Sequence, residues 1–207
     1  MNDGSQMAKV LFLVHGKPGS GKTTASALAA EQLGAYHFSI GDELRARALH
    51  GKPSQYSKEL APYAEQLKQH LPIPPHFVGL IFKECVATSP SEVIIVDGYP
   101  QYVDRLPTFE ATLAETDAIV RAICVLEISD TIARQRIRDR NQRAADVVED
   151  EAYITRRLDG FRNNVVPVLE ALRHKYPVVE LAAEQHIDAV TTDLVDAVRR
   201  MEYGEKL

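Results

Sequence analysis

The segment Gly16–Thr24 reads GKPGSGKTT and follows the apolar run VLFLVH. The spacing Gly16-x-x-x-x-Gly21-Lys22-Thr23 is that of a P-loop, a turn of chain that wraps phosphate. Each residue type has a physical reason. Glycine lets the backbone take positive φ and approach a ligand with no Cβ in the way. The freed N–H groups form a nest for an anion, and the helix that follows adds its own N-terminal N–H groups and dipole. Lys22 supplies a mobile positive charge for the β- and γ-phosphates, and Thr23 or Thr24 a hydroxyl for Mg²⁺. The alternative, a chance glycine-rich turn, fits poorly with a full pattern that leaves a strand and opens a helix.

A second element belongs with this loop. The stretch VIIVDG ends a hydrophobic strand in Asp97, and in such a sheet a strand-end aspartate lies beside the phosphate loop. Asp97 can then hold a water on Mg²⁺, although a strand-end aspartate also serves simply to cap a turn. A nucleoside triphosphate held this way is either hydrolysed or donates its γ-phosphate. Phosphoryl transfer needs positive charge around the moving group and the exclusion of water. The run RQRIRDRNQR, Arg134 to Arg143, puts Arg136 and Arg140 four apart on one helical face, and Arg156 and Arg157 follow on the next helix. These can close over the phosphates as a short lid, or pair as solvated helix charges with Asp139, Asp150 or Glu151.

The elements that position these groups alternate in type. Short apolar runs at KVLFLVH, YHFSI, EVIIVDG, AICVLEI and PVVEL read as five strands, separated by helical stretches. That pattern predicts an α/β domain with a parallel sheet. A helix is predicted over GDELRARALHG, with Asp42 as its N-cap and Glu43–Arg47 as an i,i+4 pair. Residues 52–76 are helical but interrupted by five prolines. A long helix from Asp150 onward is expected to bend near Pro167. His15, beside the loop, reads as a packed residue, and the seven histidines show no ligand spacing.

Composition bounds the function. With 207 residues, 45% hydrophobic and 26% charged, the chain is one domain with a sizeable core. A net charge of −5 argues against non-specific attraction to nucleic acid. The two cysteines, Cys85 and Cys124, form no CxxC and read as reduced thiols of a cytoplasmic protein. No apolar stretch approaches the ~20 residues of a membrane span, and MNDGSQMAK lacks the apolar core of a signal peptide. Met7 reads as the natural start, after a six-residue leader.

Taken together, the motifs resemble those of adenylate kinase-type nucleoside monophosphate kinases, from Lys9 to Met201. GKPGSGKTT is similar to that family's GxPGSGKGT, FSIGDELRA to STGDxLRA, and VDGYPQ to LDGFPR. RIRDR and ITRRLDGF are similar to the segments that flank its lid. The resemblance implies a three-layer α/β/α sandwich of the P-loop NTPase type, its five parallel strands in the order 2-3-1-4-5. It implies a core of residues 8–39, 77–140 and 157–201, an acceptor-binding insert at about 40–76 and a short lid, free of cysteine, at about 141–156. ATP would lie on Gly16, Pro18, Gly19, Ser20, Gly21, Lys22, Thr23 and Thr24 with its base against Arg136, and Mg²⁺ at Thr23 and Asp97. Lys22, Arg140, Arg143 and Arg157 would stabilise the transferring group, and the acceptor monophosphate would meet Ile40, Asp42, Arg45, Gly98, Gln101 and Arg105. A cytoplasmic monomer acting on a small molecule, with no nucleic acid or membrane partner, is expected.

The departures fall on the acceptor side. Ile40 replaces the family's threonine, Gln101 replaces the arginine that ends DGFPR, and Arg105 stands where many members carry the glutamine that reads adenine. Thr23 replaces the usual glycine after the loop lysine, and the paired aspartates of the lid survive only loosely, among Asp146, Glu149 and Asp150. Arg105 either takes over the phosphate or brings a cation to the base, so AMP is not expected to be used as it is by an ordinary adenylate kinase. The rivals are a kinase with a non-nucleotide acceptor on the same scaffold and a nucleotide-dependent switch protein with feeble turnover.

Overall fold

The computed structural model describes residues 8–69, 71–143 and 150–203, with the side chains of residues 141–143 excepted. The leader and Met7, Asp146, Glu149 and the Arg143 side chain therefore lie outside the described residues. Five strands, β1 (Lys9–Gly16), β2 (Tyr36–Ser39), β3 (Val93–Asp97), β4 (Ala118–Glu127) and β5 (Val178–Ala182), form one sheet in the order β2-β3-β1-β4-β5. All four pairings are parallel. This is the order expected from the resemblance.

β1 is the central strand and reads as a continuous apolar run because both of its faces are covered. Leu11 and Leu13 face one core cluster, and Val10, Phe12 and Val14 the other. The first cluster lies against α5 (Pro75–Ala87), α6 (Leu106–Glu115) and α9 (Val166–Arg173); the second against α1 (Lys22–Leu33), α7 (Asp130–Arg143) and α10 (Ile187–Tyr203). Four of these five strand residues are fully buried, which contributes about 1.5–3 kcal/mol each. The C-terminal end of β1 is thereby fixed, and with it the start of the glycine loop.

Two local expectations are corrected. Asp42 does not cap the helix over GDELRARAL: α2 (Ile40–Leu49) begins two residues earlier, with Ser39 as N-cap and Asp42 in the first turn. β2 runs straight into the helix, which leaves no room for a separate cap at Asp42. The helix predicted to bend near Pro167 is two helices, α8 (Glu151–Gly160) and α9, joined by a wider π-helical turn at Phe161–Val165. Pro167 has no N–H to give to the turn before it, so the regular ladder cannot run through. Between β2 and α5, the prolines divide the chain into the short helices α3 (Ser57–Leu60) and α4 (Ala64–Lys68). Among the described residues, no helix is long and apolar enough to cross a membrane.

Candidate active site

The strands end on one edge of the sheet, and the loops after β1 and β3 open a cleft of about 990 Å³ there. Its phosphate-binding wall is the P-loop. Gly16 is glycine because a Cβ would come within 2.7 Å of Ser20 Oγ and 2.9 Å of the Leu126 carbonyl. Gly19 sits at φ +84° with the Ala133 carbonyl 2.7 Å from where a Cβ would be. Any side chain would both strain the turn and push α7 away. The loop is tied at its rim by Lys17, which donates to the Ile128 carbonyl at 2.9 Å and pairs with Asp130 at 2.9 Å.

Register brings Asp97 to this loop. Val14 pairs with Asp97 across β1 and β3, and Gly98 donates its N–H to the Val14 carbonyl at 2.9 Å. Thr23, in the first turn of α1, donates its hydroxyl to Asp97 Oδ2 at 2.5 Å. That bond, and not exposure, which the two threonines share, makes Thr23 of the two candidate hydroxyls the one beside the carboxylate. Asp97 is 2% exposed, and its Oδ1 has no hydrogen-bond partner among the described residues. A buried carboxylate oxygen without a donor, next to a hydroxyl, is a hard-oxygen pair of the kind Mg²⁺ takes alongside phosphate and water. No cluster of three or more His, Cys, Asp or Glu among the described residues could hold a metal. Two protein oxygens leave most of an octahedral shell to other oxygens, so the pair fits an ion shared with phosphate and water.

Lys22 projects under Gly98, its Cε 3.8 Å from where a Gly98 Cβ would be. Burial, outweighing the nearby Asp97, lowers its pKa, and the charges of Arg157 and Arg140 lower it further. Three cations thus share one end of the cleft. Arg140 comes from α7, and Arg156 and Arg157 from α8; all three line the cleft. Asp150 caps α8 by accepting from the Tyr153 N–H at 2.7 Å. Tyr153 also lines the cleft and lies under both arginines, its ring centroid 5.0 Å from the Arg156 guanidinium and 5.7 Å from that of Arg157. Its spacing of three and four residues from those arginines is a signal the sequence held and the motif comparison passed over.

His15 is 1% exposed at the end of β1, and burial, with Lys22 nearby, lowers its pKa to about 4 against a backbone hydrogen bond at Tyr99. Its imidazole is neutral at physiological pH, so it adds no charge to the lysine's side of the loop. Arg136 stands outside the cleft lining. It donates to the carbonyls of Ala183, Glu184 and Gln185 at 2.6, 3.0 and 3.0 Å, holding the segment between β5 and α10.

The other end of the cleft is built from α2, α4 and the chain around β3 and α6. Ile40, Asp42, Arg45, Gly98, Gln101 and Arg105 all line the cleft, Gly98 beside Lys22. Ile40 is buried and belongs to the apolar core. Arg45 folds over Gly41 and pairs with Asp42 at 2.5 Å. Gln101 Nε2 lies 3.1 Å from the position of a Gly98 Cβ. α2 is anchored from behind by Arg47, which is 6% exposed, bonds Glu43 and reaches Glu84 of α5 at 2.7 Å. Burial alone would lower the Arg47 pKa, but its bonds to Glu43 and Glu84 raise it overall.

Comparison with known proteins decides the family, since an adenylate kinase family profile matches residues 14–176. The chain belongs to the adenylate kinase family. An adenylate kinase of Nautilia profundicola is 26% identical over 92% of this chain and 97% of its own length. One of Campylobacter jejuni is 27% identical over 94% of this chain and 98% of its own. One of Helicobacter hepaticus is 34% identical over 68% of this chain and 73% of its own. The adenylate kinase reaction class is ATP-dependent phosphoryl transfer to a nucleoside monophosphate, with Mg²⁺ as cofactor. The glycine cradle, the Lys22 cluster and the Thr23–Asp97 pair fit that chemistry.

Proposed function

We propose that the chain catalyses ATP + nucleoside monophosphate ⇌ ADP + nucleoside diphosphate, with AMP a poor acceptor. The observation that carries this reading is the meeting of Lys22, Arg140 and Arg157 at one end of a cleft whose floor holds Thr23 and Asp97. A protein that only senses a nucleotide has no need of three cations around a moving phosphoryl group.

The chain's own groups divide the work. The N–H groups of the loop and of α1 hold the β-phosphate, and Lys22 bridges toward the γ-phosphate. Arg140 and Arg157 meet the charge that spreads over the transferring group, and their contacts strengthen as transfer proceeds. Thr23 and Asp97 would hold Mg²⁺, which would supply charge neutralisation at the phosphates. The acceptor phosphate attacks in line, with no covalent enzyme intermediate. Residues 40–76 seat the acceptor, residues 141–156 act as the lid, and Arg136 steadies the segment against which the donor base lies. Arg143 joins the arginines of the lid.

Use of AMP below that of an ordinary adenylate kinase follows from Ile40 and Gln101, Gln101 acting on the phosphate that every mononucleotide carries. Ile40 offers no hydroxyl, and a neutral amide at Gln101 cannot grip phosphate with the bidentate, charge-assisted bonds of a guanidinium. Such bonds contribute about 1.5–3 kcal/mol each, a tenfold to hundredfold effect on affinity. The test is the initial rate of ADP formation from ATP and Mg²⁺ with each mononucleotide in turn. Acceptor-dependent ADP is expected. ADP formation at one rate whether or not a mononucleotide is present would defeat the reading.

A further inference from the structure

Among the described residues, six cations line the cleft: Lys22, Arg45, Arg105, Arg140, Arg156 and Arg157. Arg140 and Arg157 lie in the electrostatic surroundings of Lys22, and Arg45 pairs with Asp42. The groups that act most on Arg105 are Tyr102, Tyr99 and Asp104. Arg105 is 6% exposed and lines the cleft. A guanidinium stays charged in a protein, so burying one calls for acceptors that satisfy its fork of donors. Arg105 has few. Its Nη2 stands 3.5 Å from the Ile73 carbonyl, the outer limit of a hydrogen bond, and its Nε is buried with no partner among the described residues. Its flat face lies 4.4 Å from the centroid of the Tyr102 ring. No carboxylate among the described residues pairs with it at ion-pair distance, and Asp104 is its chain neighbour.

We infer that Arg105 is the specificity-determining residue of the acceptor site and takes the carbonyl oxygen of an oxo-bearing base, which makes the acceptor a uridine, cytidine, guanosine or inosine monophosphate and not AMP. The inference rests on the phosphoryl-transfer reading above, because that reading puts the acceptor's phosphate at the Lys22 end. A mononucleotide so placed has its base at the far end, among Leu44, Leu67, Ile73 and Val78, which line the cleft with Arg105. These apolar side chains suit the two faces of a ring. What they leave unmet is the ring's polar edge, and there the chain offers a donor-only group. A carbonyl, alone or beside a ring nitrogen as in O6/N7 of guanine, matches a guanidinium fork. The exocyclic amine of adenine turns its own donors toward the guanidinium and leaves both buried groups unsatisfied.

The decisive pair of acceptors is IMP and AMP, which share a purine frame and differ at the 6-oxo or 6-amino group. kcat/KM is measured for AMP, IMP, GMP, CMP and UMP at fixed ATP and Mg²⁺, in the natural chain and in Arg105→Gln and Arg105→Lys. In the natural chain the best oxo-base nucleotide is expected to exceed AMP at least tenfold, and IMP to exceed AMP. Arg105→Gln is expected to shrink the IMP-to-AMP ratio by about ten- to a hundredfold, and Arg105→Lys by less. The natural chain needs no variant for the first comparison, so a misfolded Arg105→Gln leaves the inference open to refutation. AMP as the best acceptor overturns the inference while phosphoryl transfer to a nucleotide stands. So does an equal loss on all acceptors in Arg105→Gln, which would assign Arg105 to the phosphate. ADP formation with no mononucleotide effect overturns the phosphoryl-transfer reading itself, and the inference with it.

Discussion

The proposed donor and acceptor ends of this cleft are specified by different parts of the chain. At the donor end the backbone does most of the shaping: Gly16 and Gly19 admit contacts that any Cβ would block, and β1 to β3 register carries Asp97 to Thr23. At the acceptor end the shape depends on side chains reaching between elements, as Arg47 does from α2 to α5 and Arg105 does toward Ile73 and Tyr102. A backbone site tolerates few sequences and keeps its chemistry. A side-chain site can change its ligand by single substitutions on an unchanged frame.

The largest effect is expected at the donor end. Lys22→Ala removes a charge from the transferring phosphoryl group and should lower turnover by about 10³ or more with the fold intact. ADP formation and circular dichroism check this together; a folded variant with near-normal turnover would remove Lys22 from the phosphates. Next comes the anchor of the acceptor end. Arg47→Leu leaves Glu43 and Glu84 without their shared cation, and a loss of about 3 kcal/mol in unfolding free energy is expected by chemical denaturation. A loss under about 1 kcal/mol would mean that α2 is held by its apolar contacts alone.

Arg140→Ala and Arg157→Ala should each lower kcat by about 10², more than they raise KM for ATP, because their contacts belong to the transition state. A variant that only weakens ATP binding would be a ground-state contact instead. The smallest effect concerns His15. Its folded pKa of about 4 lies below the ordinary 6.5, so the unfolded chain binds a proton that the folded chain does not. The stability this group gives is complete above about pH 6.5 and falls as the pH drops toward 4, at about 1.4 kcal/mol per pH unit. His15→Leu should flatten that slope in unfolding curves taken between pH 6.5 and 5.5; an unchanged slope would assign it to other groups.

The same contrast explains what was legible in the sequence. The phosphate loop, Asp97 and the five strands could be read because glycine spacing and apolar runs report backbone geometry directly, whereas the strand order came only with the family resemblance. The i,i+4 pair Glu43–Arg47 was readable, since both partners lie on one helix. Glu84 as the second partner of Arg47 was not, because it arrives from α5 through the tertiary fold. Asp42 looked like a cap by residue type, but β2 passes directly into α2 and the cap falls at Ser39. The identity of Arg105 was plain, while its burial and missing anionic partner emerge only when α6, Tyr102 and Ile73 come together.

The central claim, that this cleft moves a phosphoryl group between nucleotides and not to water, is tested most directly by following the γ-phosphorus of labelled ATP. With Mg²⁺ and a mixture of AMP, GMP, CMP and UMP, the account predicts label in a nucleoside diphosphate and little in inorganic phosphate. Label collecting in inorganic phosphate, at a rate indifferent to the mononucleotides, would contradict it.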